Sequence, residues 1–179
     1  MPTIRPVQLS DAPAIQAIYR PYVEQTVITF EETVPSVAEF EQRIQKIKKD
    51  FPYLVAEQDG QLLGYAYAGK FNARASYRWT AEITIYLAKE AQGKGLGRQL
   101  YQQMEDLLKQ QGIITLMALI TSPGSGSIEF HQRLGYQPVG LYPKVAYKFN
   151  QWHDLAILQK QLITPPLSPQ EITGPVTPS

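Results

Sequence analysis

A short glycine-rich segment, residues 92–97 (QGKGLG), constrains the fold and chemistry of this chain more than any other feature. It follows a strand-like run, residues 79–87, and it opens a helix-like run, residues 96–111. Glycines at such a junction let the backbone approach a ligand closely. The first amides of a helix lack intrahelical partners, and the helix dipole favours negative charge at that end. The segment therefore predicts a phosphate cradle, with an ordinary strand-to-helix turn as the alternative.

The spacing of the glycines excludes two common phosphate-binding motifs. A Walker A loop needs Gly-x-x-x-x-Gly-Lys-Ser/Thr, and this chain has no such run. The dinucleotide fingerprint needs Gly-x-Gly-x-x-Gly, which does not fit Gly93, Gly95 and Gly97. The cofactor is therefore expected to be phosphorylated but not to be held by either of these two motifs.

Length and composition narrow the class of protein. The 179 residues suit one domain, and a net charge of +1 gives no reason to expect a nucleic-acid partner. No apolar run approaches the roughly 20 residues of a membrane span, and the N-terminus lacks a signal-like apolar core, so a cytoplasmic protein is expected. There is no cysteine, and two histidines are too few for a histidine metal site, so no metal is expected.

The order of periodic segments predicts a mixed α/β sheet with helices on both faces. Ser36 and Glu39 form a capping box that opens a helix, and Asp59-Gly60 is typical of a hairpin turn. Residues 79–87 alternate in polarity, as a strand does. A composition change after Leu162 separates one domain, residues 1–162, from a proline-rich tail, residues 163–179, that has little to bury and is expected to be flexible.

Several segments in this order resemble the GNAT superfamily of N-acetyltransferases, and within it the phosphinothricin and methionine sulfoximine (sulfone) acetyltransferases. The resemblance spans roughly residues 2–162, and it is carried by residues 53–57 (YLVAE), 64–69 (GYAYAG), 79–82 (WTAE), 92–97, 131–136 and 150–154 (NQWHD). It implies the GNAT fold, which is a mixed, mostly antiparallel sheet with splayed central strands and helices on both faces.

The resemblance also implies where acetyl-CoA binds. Its pyrophosphate is expected at Gln92, Gly93, Lys94, Gly95, Leu96, Gly97 and Arg98, and its pantetheine arm at the backbone of Ile85, Tyr86 and Leu87. The family's asparagine is replaced by Gly124, which moves that contact to Ser125 or Ser127 or leaves it to water. For Lys94 and Arg98 a solvated charged surface is the alternative.

Acetyl transfer to an amine requires removal of a proton, because an aliphatic amine with a pKa near 10 is mostly protonated at pH 7. Glu82 of the Trp-Thr-Ala-Glu motif is the candidate base, and a structural pairing with Arg74 or Arg78 is the alternative. His131 is the second candidate, as an acid for the departing sulfur, as a proton relay, or only as a packed helix histidine. Tyr136 is a weaker acid candidate.

The resemblance places acceptor recognition just before the catalytic strand. Arg74 and Tyr77 match the anion-binding pair of the family, and the fork of an arginine suits a carboxylate. Asn72 stands where phosphinothricin-detoxifying members have lysine, which fits a neutral sulfoximine or sulfone side chain better than a phosphinate. Phe30 is expected to wall the pocket, with core packing as the alternative.

These expectations combine into an acetyl-CoA-dependent transfer to the α-amine of a small amino acid or analogue, by direct attack in a ternary complex. Other amines remain open as acceptors: a peptide N-terminus, a polyamine or an antibiotic. A non-catalytic acyl-CoA-binding regulatory module is the alternative from another class, although such a module would not need Glu82, His131 and Arg74. A homodimer is expected from the resemblance alone.

Overall fold

The computed structural model describes residues 2–123 and 126–177, which form seven strands, four α-helices and three short 3-10 turns. The helices are α1 (Ala12–Gln25), α2 (Val37–Asp50), α3 (Leu96–Gln111) and α4 (Ser127–Arg133). The strands are β1 (Thr3–Pro6), β2 (Tyr53–Gln58), β3 (Gln61–Lys70), β4 (Thr80–Leu87), β5 (Thr115–Ser122), β6 (Gln137–Lys148) and β7 (Gln151–Gln161).

The strands make a single sheet in the order β1-β2-β3-β4-β5-β7-β6. Only β4 and β5 run parallel, so the predicted mixed, mostly antiparallel sheet is confirmed. These two strands pair at three positions, from Thr80 opposite Thr115 to Glu82 opposite Met117. Beyond Glu82 they diverge, and this confirms the predicted splay of the central strands.

Helices cover both faces of the sheet because β2 and β3 are apolar on both sides. Along β2, Tyr53 and Val55 pack with α1 and α2, whereas Leu54 and Ala56 pack with α3. Successive side chains of a strand point to opposite faces, so one strand serves two core clusters. This arrangement confirms the expectation of helices on both faces.

The capping box and the hairpin turn predicted from the sequence are present in the structure. The Ser36 hydroxyl accepts from the Glu39 amide at 3.2 Å, while the Glu39 carboxylate accepts from the Ser36 amide at 2.7 Å. Asp59 and Gly60 adopt φ values of 52° and 78° in the β2–β3 hairpin. The first helix, α1, begins at Ala12, directly after the 3-10 turn formed by Leu9–Asp11.

The C-terminal segment buries more than its composition predicted. Ile172 and Val176 pack against the core cluster that contains α3, and the Trp79 indole donates to the Gln170 carbonyl at 2.7 Å. These apolar contacts were not predicted from the composition of the segment. The domain boundary at residue 162 and the flexibility of the segment stay predictions. None of the helices described is both long and apolar enough to cross a bilayer.

Candidate active site

The glycine-rich loop lies between a short 3-10 turn (Lys89–Ala91) and the first turn of α3. Gly95 is the N-cap of α3 with a φ of 81°, a conformation that glycine adopts at little cost. A Cβ on Gly97 would lie 3.2 Å from the Phe130 ring, so this glycine lets α3 and α4 meet closely. The amides of the first helical turn have no intrahelical acceptor, and the loop thus has the shape of an anion cradle.

The side chains of the cradle differ in what they offer a ligand. Leu96 is buried in the core, so only its backbone is available. Lys94 and Arg98 are exposed, which is compatible with phosphate contact and equally with a solvated surface. Ser125, a predicted contact, lies outside the described residues.

Tyr22 fastens the end of β4 to the cradle, a contact that the sequence analysis missed. Its hydroxyl donates to the Leu87 carbonyl at 2.6 Å and accepts from the Gln92 side chain at 3.0 Å. The Tyr86 ring packs edge-on against Tyr22, with ring centroids 5.0 Å apart. Tyr22 occupies a core position of α1 in the apolar pattern, and that pattern carries no signal for its hydroxyl.

A cavity of about 290 Å³ extends along the splayed part of β4 and β5 and brings the two predicted catalytic residues together. Glu82 enters it from β4, and His131 enters it from α4. Predicted cofactor residues Ile85, Tyr86 and Ser127 also line it. Its other polar lining residues are Tyr19, Thr29, Glu31, Arg43, Tyr67, Thr84, Tyr101 and Thr121.

Glu82 is largely buried, and burial raises the pKa of its carboxyl because the charged form loses hydration. The alternative pairing with an arginine is not observed. Arg78 instead pairs with Glu171 at 3.0 Å, and within residues 2–123 and 126–177 no ion pair involves Glu82. A buried carboxylate without a cationic partner is a stronger base than a free one.

His131 is almost fully buried, and both ring nitrogens have defined partners. Nδ1 lies 2.7 Å from the Ser127 carbonyl, and a carbonyl only accepts, so Nδ1 carries the hydrogen. Nε2 lies 2.9 Å from the Tyr101 hydroxyl, which donates to it when the ring is neutral. Burial lowers the pKa of His131, against a smaller raising effect of the Ser127 carbonyl, so the neutral form dominates at pH 7.

Tyr101 is a second residue that the sequence analysis missed. It is fully buried on α3, and it lines the same cavity as Glu82 and His131. Its position among the apolar residues of α3 is typical of simple core packing. The one sign of another role is that Tyr101 faces α4, where it contacts His131. Tyr136, the weaker acid candidate, does not line the cavity, and its hydroxyl donates to Glu105 at 3.1 Å.

The predicted acceptor residues do not share this cavity. Asn72, Arg74 and Tyr77 line a second cavity of about 290 Å³, which lies against Ile172 of the C-terminal segment. The Phe30 ring stacks on His153 at a centroid distance of 6.2 Å, outside the lining of either cavity.

The lining of the first cavity includes an ion pair instead. The Arg43 guanidinium donates to the Glu31 carboxylate at 3.1 Å, and Tyr19 donates to the same carboxylate at 2.6 Å. Burial alone would raise the pKa of Glu31, but these hydrogen bonds hold it below its usual value. Lys148 is buried behind this wall and donates to the Thr29 carbonyl at 2.9 Å.

A family model described as an acetyltransferase (GNAT) domain matches residues 4–157 of the chain. The chain belongs to the GNAT acetyltransferase family. It is 33% identical over 174 residues to phosphinothricin N-acetyltransferase of Streptomyces viridochromogenes, covering 97% of this chain and 94% of that protein. It is 35% identical over 162 residues to the L-methionine sulfoximine/L-methionine sulfone acetyltransferase of Pseudomonas paraeruginosa, covering 89% and 94%.

A solved structure agrees with this assignment. The phosphinothricin acetyltransferase of Sinorhizobium meliloti in complex with AcCoA superposes with a TM-score of 0.87 at 35% identity, covering 94% of this chain and 95% of that one. The chain is therefore an N-acetyltransferase with the GNAT fold. Within the described residues no group of three or more histidine, cysteine or acidic side chains is arranged to hold a metal ion.

Proposed function

We propose that this N-acetyltransferase transfers the acetyl group of acetyl-CoA to the α-amine of a small amino acid or analogue of the methionine sulfoximine, methionine sulfone or phosphinothricin type, by direct attack in a ternary complex. The observation that carries the proposal is the position of Glu82 and His131 in one cavity along the splayed strands, of which β4 is linked at its end to the glycine cradle through Tyr22. Relatives named for these acceptors support the choice of substrate class.

The cradle fits the phosphates of acetyl-CoA. Its positive-φ glycines and the free amides at the start of α3 suit an anion, and Gly97 leaves no bulk at the approach to α4. Backbone groups alternate sides along a strand, and the Ala88 amide donates to Leu63 next to β3, so the backbone groups of Ile85 and Leu87 face the splayed gap. We assign the pantetheine arm to Ile85, Tyr86 and Leu87, where Ile85 and Leu87 offer backbone groups and Tyr86 lines the cavity. Bound acetyl-CoA supplies an activated thioester acetyl group.

Glu82 removes the proton that makes the acceptor amine unreactive, directly or through a water. Its raised pKa lies closer to neutral pH than that of a free glutamate, which makes it a better match for an amine. The nitrogen then forms its bond to the acetyl carbonyl carbon, and the carbon–sulfur bond breaks. A thiol with a cysteine-like pKa of about 8.5 leaves as a thiolate without a strong acid.

His131 suits a proton relay better than an acid. In its neutral form it has no hydrogen at Nε2 to give, because its hydrogen is held at Nδ1 by the Ser127 carbonyl. It can instead accept a proton through the Tyr101 hydroxyl, which faces the same cavity. We assign to the pair Tyr101–His131 the passage of the released proton away from the reaction centre.

We assign the acceptor carboxylate to Arg74 and Tyr77. Arg43 is the cation nearest the reaction cavity, but Glu31 neutralises it. No ion pair to Arg74 occurs in the part of the chain that the structure describes, so its charge is available. Thr80 lines the Arg74 cavity and stands two residues before Glu82 on β4, so one strand carries residues of both cavities.

An acceptor panel assayed by release of CoA thiol tests the proposal. We expect turnover with methionine sulfone and sulfoximine, and less with phosphinothricin because Asn72 lacks a positive charge. Turnover only with a peptide N-terminus, a polyamine or an antibiotic would overturn the substrate class. Calorimetric binding of acetyl-CoA with no turnover on any amine would favour the regulatory module.

A second proposal concerns assembly: two copies pair through β6. This strand is at the edge of the sheet, and large apolar side chains on it and on the neighbouring turn and strand are about half exposed. They are Val139 (53%), Leu141 (52%), Tyr142 (53%), Val145 (51%), Tyr147 (52%), Phe149 (53%) and Trp152 (61%). An open apolar edge of this extent is typical of an interface.

Sedimentation at micromolar concentration tests the assembly. We expect a dimer for the unmodified chain and a monomer for the double variant Leu141→Glu, Tyr147→Glu, since two buried charges would face each other across the pair. A monomer for the unmodified chain contradicts the proposal. A folded double variant, checked by circular dichroism, is the necessary control.

A further inference from the structure

We propose that residues 170–173, the C-terminal strap, are a positioning segment for the acceptor. The strap holds the recognition loop, residues 71–79, which carries Arg74 and Tyr77. This inference rests on the proposed function in one respect, which is the assignment of that loop to the acceptor. The strap lies outside the matched acetyltransferase domain, which ends at residue 157.

Gln170 and Glu171 of the strap form hydrogen bonds with the end of the recognition loop. The Trp79 indole N–H donates to the Gln170 carbonyl at 2.7 Å. One nitrogen of the Arg78 guanidinium donates to both carboxylate oxygens of Glu171, at 3.1 and 3.0 Å. The same guanidinium lies 4.9 Å from the Trp79 ring centroid, a cation–π contact that keeps the two side chains together.

The other side of the strap is fixed to the end of α3. The Thr173 amide donates to the Gln111 carbonyl at 2.9 Å. Ile172 packs against the core, and its Cα would lie 3.5 Å from a Cβ on Gly112. The strap thus links the recognition loop to the helix whose first turn forms the cradle.

The recognition loop depends on such external contacts because its own structure is slight. Within it only Ala75–Tyr77 form a single 3-10 turn, and all three residues are exposed. The Arg74 amide donates to the Asn72 side-chain oxygen at 3.0 Å, and the Tyr77 ring packs edge-on against Phe71, both of them contacts within the loop. Residues 78 and 79 tie this loop to the C-terminal strap.

The strap also completes the cavity that Arg74 lines. Ile172, Thr173 and Gly174 line this cavity together with Asn72 and Arg74. The Gln111 side chain also lines it, donates to the Asp50 carbonyl at 2.6 Å and leaves its own buried amide oxygen without a partner among the described residues. Loss of the strap removes this wall and opens the cavity to solvent.

Kinetics on the full-length chain and on a variant truncated after Thr164 test the inference. We expect the KM for the acceptor to rise about tenfold on truncation, which corresponds to about 1.4 kcal/mol. The KM for acetyl-CoA and the kcat are expected to stay within about twofold, because the cradle and Glu82 keep their own supports. Hydrogen exchange of residues 71–79 is expected to become faster.

Milder variants keep the test valid where truncation prevents folding. Glu171→Gln removes the ion pair, and Trp79→Phe removes the indole donor while it keeps an aromatic ring. Each is expected to raise the acceptor KM about two- to fivefold, since one exposed pair is worth at most about 1 kcal/mol. Glu24→Gln, which breaks the exposed Arg20–Glu24 pair on α1, is the matched control. It is expected to change neither the acceptor KM nor the hydrogen exchange of residues 71–79.

The exchange measurement separates failure of this inference from failure of the proposed function. Unchanged hydrogen exchange of residues 71–79 in a folded truncation variant would show that the strap does not hold the recognition loop, whatever the enzyme acetylates. Faster exchange with an unchanged acceptor KM would overturn the link between the strap and acceptor binding, and would point to an acceptor that does not use Arg74.

Discussion

Glu82, the proposed base, illustrates at the scale of one residue how a partly buried carboxylate can destabilise the fold. Its pKa is raised by burial, so the folded state prefers the protonated form. Below the unfolded glutamate pKa, about 4.3, this preference has no effect on relative stability. Between the unfolded and the folded pKa the unfolded state loses this proton while the folded state keeps it, so the native chain loses stability as the pH rises, and the loss is complete above the folded pKa. A neutral isostere escapes this effect.

We therefore expect Glu82→Gln to be as stable as the unmodified chain near pH 4 and more stable at pH 7 and above. Urea unfolding at several pH values measures the difference. A variant that is less stable than the unmodified chain at pH 7 would show that the carboxylate has a stabilising partner.

Tyr101 gives a second prediction at this scale. Replacement by phenylalanine removes the donor to His131 Nε2 and leaves that nitrogen buried and unpaired, a loss of about 1–3 kcal/mol of stability. If the pair relays a proton, kcat should fall by more than tenfold while the KM for acetyl-CoA stays constant. Tyr136→Phe is the matched control, because it removes a buried hydroxyl that binds Glu105 outside the cavity. Equal kcat values for the two variants would contradict the proton relay and would show that Tyr101 only packs in the core.

At the scale of elements, the contact between α3 and α4 sets the position of the cradle. Gly97→Ala would place a Cβ 3.2 Å from the Phe130 ring, so the ring or the start of α3 must move slightly. We expect the KM for acetyl-CoA to rise several-fold with little change in the acceptor KM. A second substitution, Phe130→Leu, makes room for the added Cβ and is expected to restore the KM for acetyl-CoA. Failure of this rescue would mean that Gly97 matters for another reason, such as direct contact with the cofactor.

The sequence predicted these elements well because their signals are local. The capping box at Ser36, the Asp59-Gly60 turn and Gly112 at the end of α3 each fix a boundary through one or two residues. The hydroxyl contacts of Tyr22 and Tyr101 were not predictable in this way. Both residues occupy apolar positions of a helix, and their partners lie 65 and 30 residues away in the chain.

At the scale of the whole molecule, the sequence predicted the sheet, its splay and the helices on both faces, yet it did not predict the contacts of the C-terminal segment. Composition describes an average, whereas Ile172 packs against the core and the Trp79 indole donates to the Gln170 carbonyl, which are specific long-range contacts. The sequence also did not predict that Arg74 lies outside the cavity of Glu82. The two residues stand only eight positions apart in the printed sequence, which suggested a shared site.

The exposed edge strand belongs to this scale as well. If two copies pair through β6, Trp152 becomes buried on assembly, since it is 61% exposed in the single chain. Its fluorescence maximum is expected to shift to longer wavelength on dilution below the dissociation constant. The variant Trp152→Phe, which leaves Trp79 as the remaining tryptophan, identifies the source of the signal. A maximum that does not change with concentration in a sample shown to be dimeric would place the interface elsewhere.

The most direct test of the central claim is the pH dependence of kcat/KM for the preferred amino-acid acceptor, measured for the unmodified chain and for Glu82→Gln. We expect the rate of the unmodified chain to rise with pH through a group whose pKa lies above that of a free glutamate. We expect Glu82→Gln to lose about 10²–10⁴-fold in rate and to lose that limb of the profile. A Glu82→Gln variant with full activity and an unchanged profile at neutral pH would contradict the account.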